Sequence, residues 1–225
     1  MKVFASWSSG KDSCLACYEA ISQGHEVAYL LNMIVEDTQF TMGHGISADL
    51  VRTQAQAIGI PLVQQRCRWN DYEQQFKNAI TGMMREGVEG GVFGDIYLAD
   101  LRDWVQRVCG DLGIEPLVPL WGRDPRQVVE DFIRAGFEAV VIACKSHIMG
   151  EEWLGRKVDR GFVEDLARLG GVDAAGENGE YHTLVIDGPL FQQRIKVTEA
   201  QKVLKQDRWF LNIVDYESVE GGTGG

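Results

Sequence analysis

The sequence predicts an α/β protein with a doubly wound parallel sheet in its first half and a smaller α+β domain after it. Three observations carry that prediction. Short apolar runs alternate with segments of helical period as far as Trp121-Gly122, a glycine closes most of those helical segments, and the regularity lapses beyond that point. Strands and helices alternating at this interval imply right-handed crossovers and parallel pairing. At 225 residues the chain is long enough for two modest domains, each with its own core.

Val3-Phe4-Ala5-Ser6-Trp7 reads as a buried strand. After a glycine-containing loop, Cys14, Cys17, Tyr18 and Ile21 follow the i, i+3, i+4, i+7 spacing of one helix face, and Gly24 is placed to end that helix. Val27 to Met33 is apolar on both faces, as a central parallel strand should be. A polar stretch from Glu36 to Ser47 leads into a helix over about Asp49 to Ile58, closed by Gly59, and then a short strand over Ile60 to Val63. Asp71 is a candidate N-cap for the helix bearing Tyr72, Phe76, Ile80 and Met83. Gly91 to Gly94 reads as a strand, Leu101 to Leu112 as an amphipathic helix, and Glu115 to Leu120 as the fifth strand.

In the second half, Asp124-Pro125 opens a helix with proline at its first position. Phe137 to Cys144 is a strand, Gly161 to Leu169 a helix, and Gly170 to Gly179 a glycine-rich stretch. Tyr181 to Ile186 and Trp209 to Val214 are two further strands. The boundaries are therefore 1–121 for the first domain, 122–216 for the second and 217–225 for a polar, glycine-rich tail expected to fray.

Composition limits the function classes. Hydrophobic residues make up 45% and charged residues 24%, and no apolar run approaches the roughly 20 residues of a membrane span. The first residues lack the apolar stretch and cleavage site of a secretory leader. Five cysteines, an odd number scattered through regular elements, point to a reducing cytoplasm rather than a disulfide framework. A net charge of -11 disfavours a nucleic-acid partner, which calls for a basic face, and means that any nucleotide needs a local positive site.

That local site is the loop Ser8-Ser9-Gly10-Lys11-Asp12-Ser13, between the first strand and the first helix. There a doubly wound sheet presents backbone N–H groups and a helix N-terminus to an anion. Gly10 admits close approach, the hydroxyls of Ser8, Ser9 and Ser13 add donors, Lys11 supplies a point charge, and Asp12 is placed to hold Mg²⁺ or cap the helix. A Walker phosphate loop fails twice, because position 5 is Ala rather than Gly and Asp12 follows the lysine where Ser or Thr is required. A polar turn with an N-cap is the plain alternative.

The loop resembles the PP-loop, S-G-G-K-D-S, of the N-type ATP pyrophosphatases, with Ser9 in place of one of the usual glycines. A second segment, Gly176-Glu177-Asn178-Gly179-Glu180-Tyr181-His182-Thr183, gathers two carboxylates, a histidine and a hydroxyl beside two glycines. On spacing alone it is equally a solvated turn before a strand. Together the two segments resemble the diphthine–ammonia ligase family, whose members carry G-E-x-G-E-[FY]-x-T. Phe93-Gly94-Asp95-Ile96 and Pro119-Leu120-Trp121 are also similar to stretches of that family. The Glu-Tyr-His-Thr form resembles its bacterial branch, because His182 stands where members that form diphthamide more often have an acidic residue.

The resemblance covers essentially the whole chain and implies a HUP-type ATP pyrophosphatase domain followed by a substrate-recognition domain. It implies cleavage of ATP to AMP and pyrophosphate, with Mg²⁺ held by Asp12, adenylation of an acceptor carboxylate and amidation by free ammonia. The acceptor would be a diphthine-like protein residue or a small metabolite. Lys11, Glu180 and His182 are the catalytic candidates, and Met33 and His44 join the loop as nucleotide contacts. Asp95, Glu177, Tyr181 and Thr183 are the substrate contacts, with an N-cap as the plain alternative for Asp95 and a solvated loop histidine, the commoner case, for His44. Homodimerisation is left open.

Two rival readings remain. Cys14-Leu15-Ala16-Cys17 invites a sulfur-transfer, tRNA-modifying enzyme, but both thiols fall on the apolar face of the first helix and no second Cys-x-x-Cys completes a zinc site. A nucleotide sensor without chemistry is opposed only by the polar cluster from Glu177 to Thr183. A built-in glutaminase would need a further domain.

Overall fold

The computed structural model describes residues 1–43 and 45–220. His44 lies outside the described residues. The chain divides into two compact units, one formed by Met1–Ser8 with Asp12–Gly122, the other by Ser9–Lys11 with the chain from Arg123 onward.

In the first unit, β1 (Lys2–Ser6), β2 (Glu26–Val35), β3 (Leu62–Cys67), β4 (Gly90–Val92) and β5 (Glu115–Leu117) form one sheet in the order β3-β2-β1-β4-β5. Every pairing is parallel. The crossovers run through α1 (Lys11–Ser22), α2 (Ala48–Ile58), α3 (Tyr72–Met84) and α4 (Ala99–Leu112). The chain winds outward from β1 to β3 and then returns to place β4 on the other side of β1. That is a topological switch point, and the loops after β1 and β4 flank it at the C-terminal ends of their strands.

Local chemistry sets the element ends. The Ser47 hydroxyl accepts from the Leu50 N–H at 3.2 Å to start α2, and Gly59 closes it in the left-handed region at φ 83°. β3 begins at Leu62 rather than Ile60, since Pro61 has no N–H to give a ladder. It then continues through Gln64, Gln65 and Arg66, whose polar side chains hide a strand from an apolar-pattern reading. Asp71 sits at the N-cap of α3 without capping it; its carboxylate accepts from the Arg68 N–H at 2.6 Å instead. Between sheet and helices, the rings of Phe4, Phe76 and Phe93 meet at centroid distances of 6.1, 5.8 and 6.3 Å. Each such buried ring contributes roughly 1.5–3 kcal/mol.

The second unit carries α5 (Pro125–Arg134), β6 (Glu138–Lys145), α6 (Arg160–Leu169), β7 (Tyr181–Asp187), β8 (Gln193–Lys205) and β9 (Arg208–Glu220). Its sheet has the order β7-β6-β9-β8 and its pairings are antiparallel. Asp124 caps α5 by accepting from the Gln127 N–H at 3.0 Å, ahead of Pro125. β8 is absent from the sequence reading because most of its positions are exposed and polar, which erases the apolar alternation. Residues 217–220 are strand rather than a frayed tail: Glu217 pairs with Lys196 and Glu220 with Gln193, so the ladder to β8 holds them without apolar burial. Among the described residues no helix is long and apolar enough to cross a membrane.

Candidate functional site

Of the loop after β1, Ser9–Lys11 belong to the second unit and their neighbours to the first. In the first unit, the Ser13 hydroxyl accepts from the Ser8 N–H at 3.3 Å and lies 3.1 Å from the Ser8 hydroxyl. This closes the loop onto the first turn of α1. The loop after β4 packs against that same turn so tightly that a Cβ on Gly94 would lie 2.8 Å from the Asp12 carbonyl carbon and the Ser13 nitrogen. Glycine is required there by close approach, not by its torsion. Asp95, next along, is partly buried. Burial pushes its carboxyl above the usual range; its own backbone N–H opposes that, and the nearby Asp12 carboxylate adds to it.

A buried hydrogen-bond chain sits at the root of the loop. The Trp7 indole N–H donates to the Gln54 side-chain oxygen at 2.7 Å, and the Asn32 amide donates to the Trp7 carbonyl at 2.8 Å. Gln54 and Asn32 are both buried, and nothing in a strand–helix reading singles them out. Met33 contributes its side chain to the core, and its carbonyl accepts from the Met42 N–H at 2.9 Å.

In the second unit the remaining loop residues lie along β7. The Val185 N–H donates to the Ser9 carbonyl at 3.0 Å, and the Lys11 N–H donates to the Thr183 hydroxyl at 3.1 Å. Ser9 adopts a left-handed backbone at φ 70° while fully buried. Such a conformation costs a non-glycine residue about 1–2 kcal/mol, so the glycine-to-serine exchange seen in the sequence is carried as local strain. The Lys11 side chain is only 3% exposed. Its ammonium donates to the Ala175 carbonyl and lies 5.0 Å from the centre of the Tyr181 ring, a cation–π distance.

The second motif is thus brought to the lysine, but not in the roles its residue types suggest. The Glu180 side chain is buried and points at its own loop; Oε1 accepts from the Asp173 N–H at 3.2 Å and from the Asn178 amide at 3.3 Å. The Tyr181 hydroxyl donates to the Ala174 carbonyl at 2.6 Å. Glu177 gives its N–H to the Asp173 carboxylate at 3.3 Å. His182 pairs with Ala143 across the sheet and, by strand alternation, projects from the face of β7 opposite to Tyr181 and Thr183. Asp173 escaped the sequence reading, although an Asp two residues before a donated N–H, with Gly176 following, is an Asx-turn pattern.

Cys14 and Cys17 are fully buried on α1. Burial lifts the Cys17 thiol to about 12, and burial and then Cys17 lift that of Cys14. Burial thus disfavours the thiolate, the reactive form, at both positions. Cys17→Ser is expected to keep most of the turnover; a well-folded variant without activity would restore the sulfur-transfer reading.

Residues 1–116 match the diphthamide synthase N-terminal domain, and residues 124–219 match the diphthamide synthase C-terminal domain. The diphthine–ammonia ligase of Rattus norvegicus is 28% identical over 232 residues, covering 91% of this chain and 85% of that protein. The Danio rerio protein of the same name is 28% identical over 243 residues, covering 95% and 92%. A solved structure described as a predicted subunit of tRNA methyltransferase from Methanocaldococcus jannaschii is similar at a TM-score of 0.46 and 16% identity, over 84% of this chain and 98% of that one, too loosely to bear on function. Matched through both of its domains, the chain belongs to the diphthamide synthase family.

Proposed function

We propose that the protein is an ATP-dependent amide ligase that forms AMP and pyrophosphate, adenylating a carboxylate and amidating it with ammonia. The observation that carries this reading is the phosphate loop after β1, with its preorganised lysine, in a chain whose two domains both match diphthamide synthase. The acceptor carboxylate attacks the α-phosphorus, an acyl-adenylate forms and pyrophosphate leaves. Ammonia then attacks the acyl carbon and AMP departs.

Charge builds on the leaving pyrophosphate, so the ammonium of Lys11 and the donors of Ser8, Ser9, Gly10 and Ser13 act where the transition state needs them. The N-terminal end of α1 adds its dipole. The backbone at the end of β2, near Met33, is assigned to the adenine edge. Asp12 and Asp95 fit Mg²⁺, because both are hard oxygen donors and the Asp95 carboxylate, disfavoured by burial and then by the Asp12 charge, gains from a cation. Among the described residues no group of three or more His, Cys, Asp or Glu gathers, which suits an ion that takes one or two carboxylates and completes its shell with phosphate and water. A bound Mg²⁺ would neutralise charge on the triphosphate. The half-buried Glu177 is left for the acceptor or ammonium, His182 on the other face of β7 is not, and Glu180 and Thr183 hold the loop.

The test supplies ATP and ammonium with either a diphthine-bearing elongation factor two or a panel of carboxylated metabolites. The expected result is equimolar AMP, pyrophosphate and amide with one acceptor. Formation of ADP and phosphate, or AMP formation indifferent to ammonium and to every acceptor, would overturn the reading.

A further inference from the structure

We infer that Asp173 is the positioning residue that holds the Lys11 ammonium in place, an inference that rests on the ligase reading above. The chain of contacts lies wholly within the second unit. The Asp173 carboxylate accepts from the Ala175 N–H at 2.8 Å and from the Glu177 N–H at 3.3 Å, which winds residues 173–177 into a tight turn. The Asp173 N–H is fixed in turn by Glu180 Oε1 at 3.2 Å.

That turn directs two carbonyls. The Ala175 carbonyl receives the Lys11 ammonium. The Ala174 carbonyl receives the Tyr181 hydroxyl at 2.6 Å and so orients the ring that stands 5.0 Å from the same ammonium. Gly176 is part of the device: it lies at φ 71°, and a Cβ there would come within 2.9 Å of the Tyr181 ring. The Ala175 carbonyl and the Tyr181 ring, two groups that meet the lysine, are therefore set by one carboxylate. On this account Asp173 acts on the lysine through Ala175 and Tyr181. A lysine side chain has four rotatable carbons and finds a fixed position only where its surroundings impose one. Displacing a charge-stabilising group by about 1 Å can cost on the order of 10²-fold in rate.

The experiment is a double-mutant cycle on the full chain, read as the turnover number for pyrophosphate release at saturating ATP and ammonium. Asp173→Ala should lower turnover by about 10–10²-fold, and Asp173→Asn, which keeps an acceptor oxygen, should restore most of it. In a Lys11→Ala background, Asp173→Ala should produce no further loss. Multiplicative effects of the two substitutions, or failure of Asp173→Asn to rescue, would overturn the positioning role while leaving the ligase reading intact. Full turnover in Lys11→Ala alone would overturn both. If Asp173→Ala does not fold, Tyr181→Phe takes its place in the cycle: it removes the bond to the Ala174 carbonyl and should cost several-fold with Lys11 present and nothing without it.

Discussion

Lys11→Ala is expected to lower AMP and pyrophosphate formation by about 10²–10³-fold, the usual cost of removing one preorganised donor from a site of developing negative charge. The protein carries a net charge of -11, so this ammonium works against the field of the whole molecule. Its burial, at 3% exposure, matters for the same reason, because little water screens it. The substitution also leaves the Ala175 carbonyl without its lysine donor, and a buried unpaired acceptor costs about 1–3 kcal/mol of stability. Activity and stability must therefore be measured together, by product formation below the melting temperature of the variant. Lys11→Arg should not rescue, since a planar guanidinium has neither the compact shape nor the donor geometry for a slot between a carbonyl and a ring. A Lys11→Ala enzyme with normal turnover would remove the loop from the mechanism.

Much of this site is legible in the residues themselves. The spacing of Cys14, Cys17, Tyr18 and Ile21 places a helix immediately after the loop, and the apolar run from Val27 to Met33 marks a central strand, so the loop had to lie at the mouth of a parallel sheet. What could not be read follows from contacts distant in sequence. Thr183 meets Lys11 across 172 residues and Ala175 meets it across 164, and no local pattern encodes such pairs. Glu180 looks like an acid–base group by residue type, yet burial and two donors from its own loop make it a brace. His182 follows Tyr181 directly in sequence and for that reason faces away from it once the segment is a strand. β8 failed to register because it pairs on one side with β9 and shows solvent most of its side chains, so nothing in it had to be apolar. Ser9 runs the other way: its departure from glycine is plain in the sequence, and the φ of 70° shows that the backbone kept the glycine conformation regardless.

Gly94→Ala should be nearly as damaging as loss of the lysine, although it removes no chemical group. The added Cβ would meet the Asp12 carbonyl carbon and the Ser13 nitrogen at 2.8 Å and the Asp12 oxygen at 2.9 Å. All three are backbone atoms, so no side-chain rotation relieves the clash, and either the loop after β4 or the first turn of α1 must move. Overpacking of this kind costs about 1–3 kcal/mol. The displacement falls on Asp12, Ser13 and the adjoining Lys11, where a shift of about 1 Å can cost on the order of 10²-fold in rate. It also alters the spacing of Asp12 from Asp95, so a larger Mg²⁺ requirement should accompany the loss. Gly110→Ala is the matched control: this glycine lies inside α4 with nothing within 4 Å of its added Cβ, and alanine there should stabilise by up to about 1 kcal/mol without changing turnover. A Gly94→Ala protein with the melting temperature and turnover of the parent would show that the β4 loop and the start of α1 are not in contact, and the Asp12–Asp95 pair would lose its basis as a metal site.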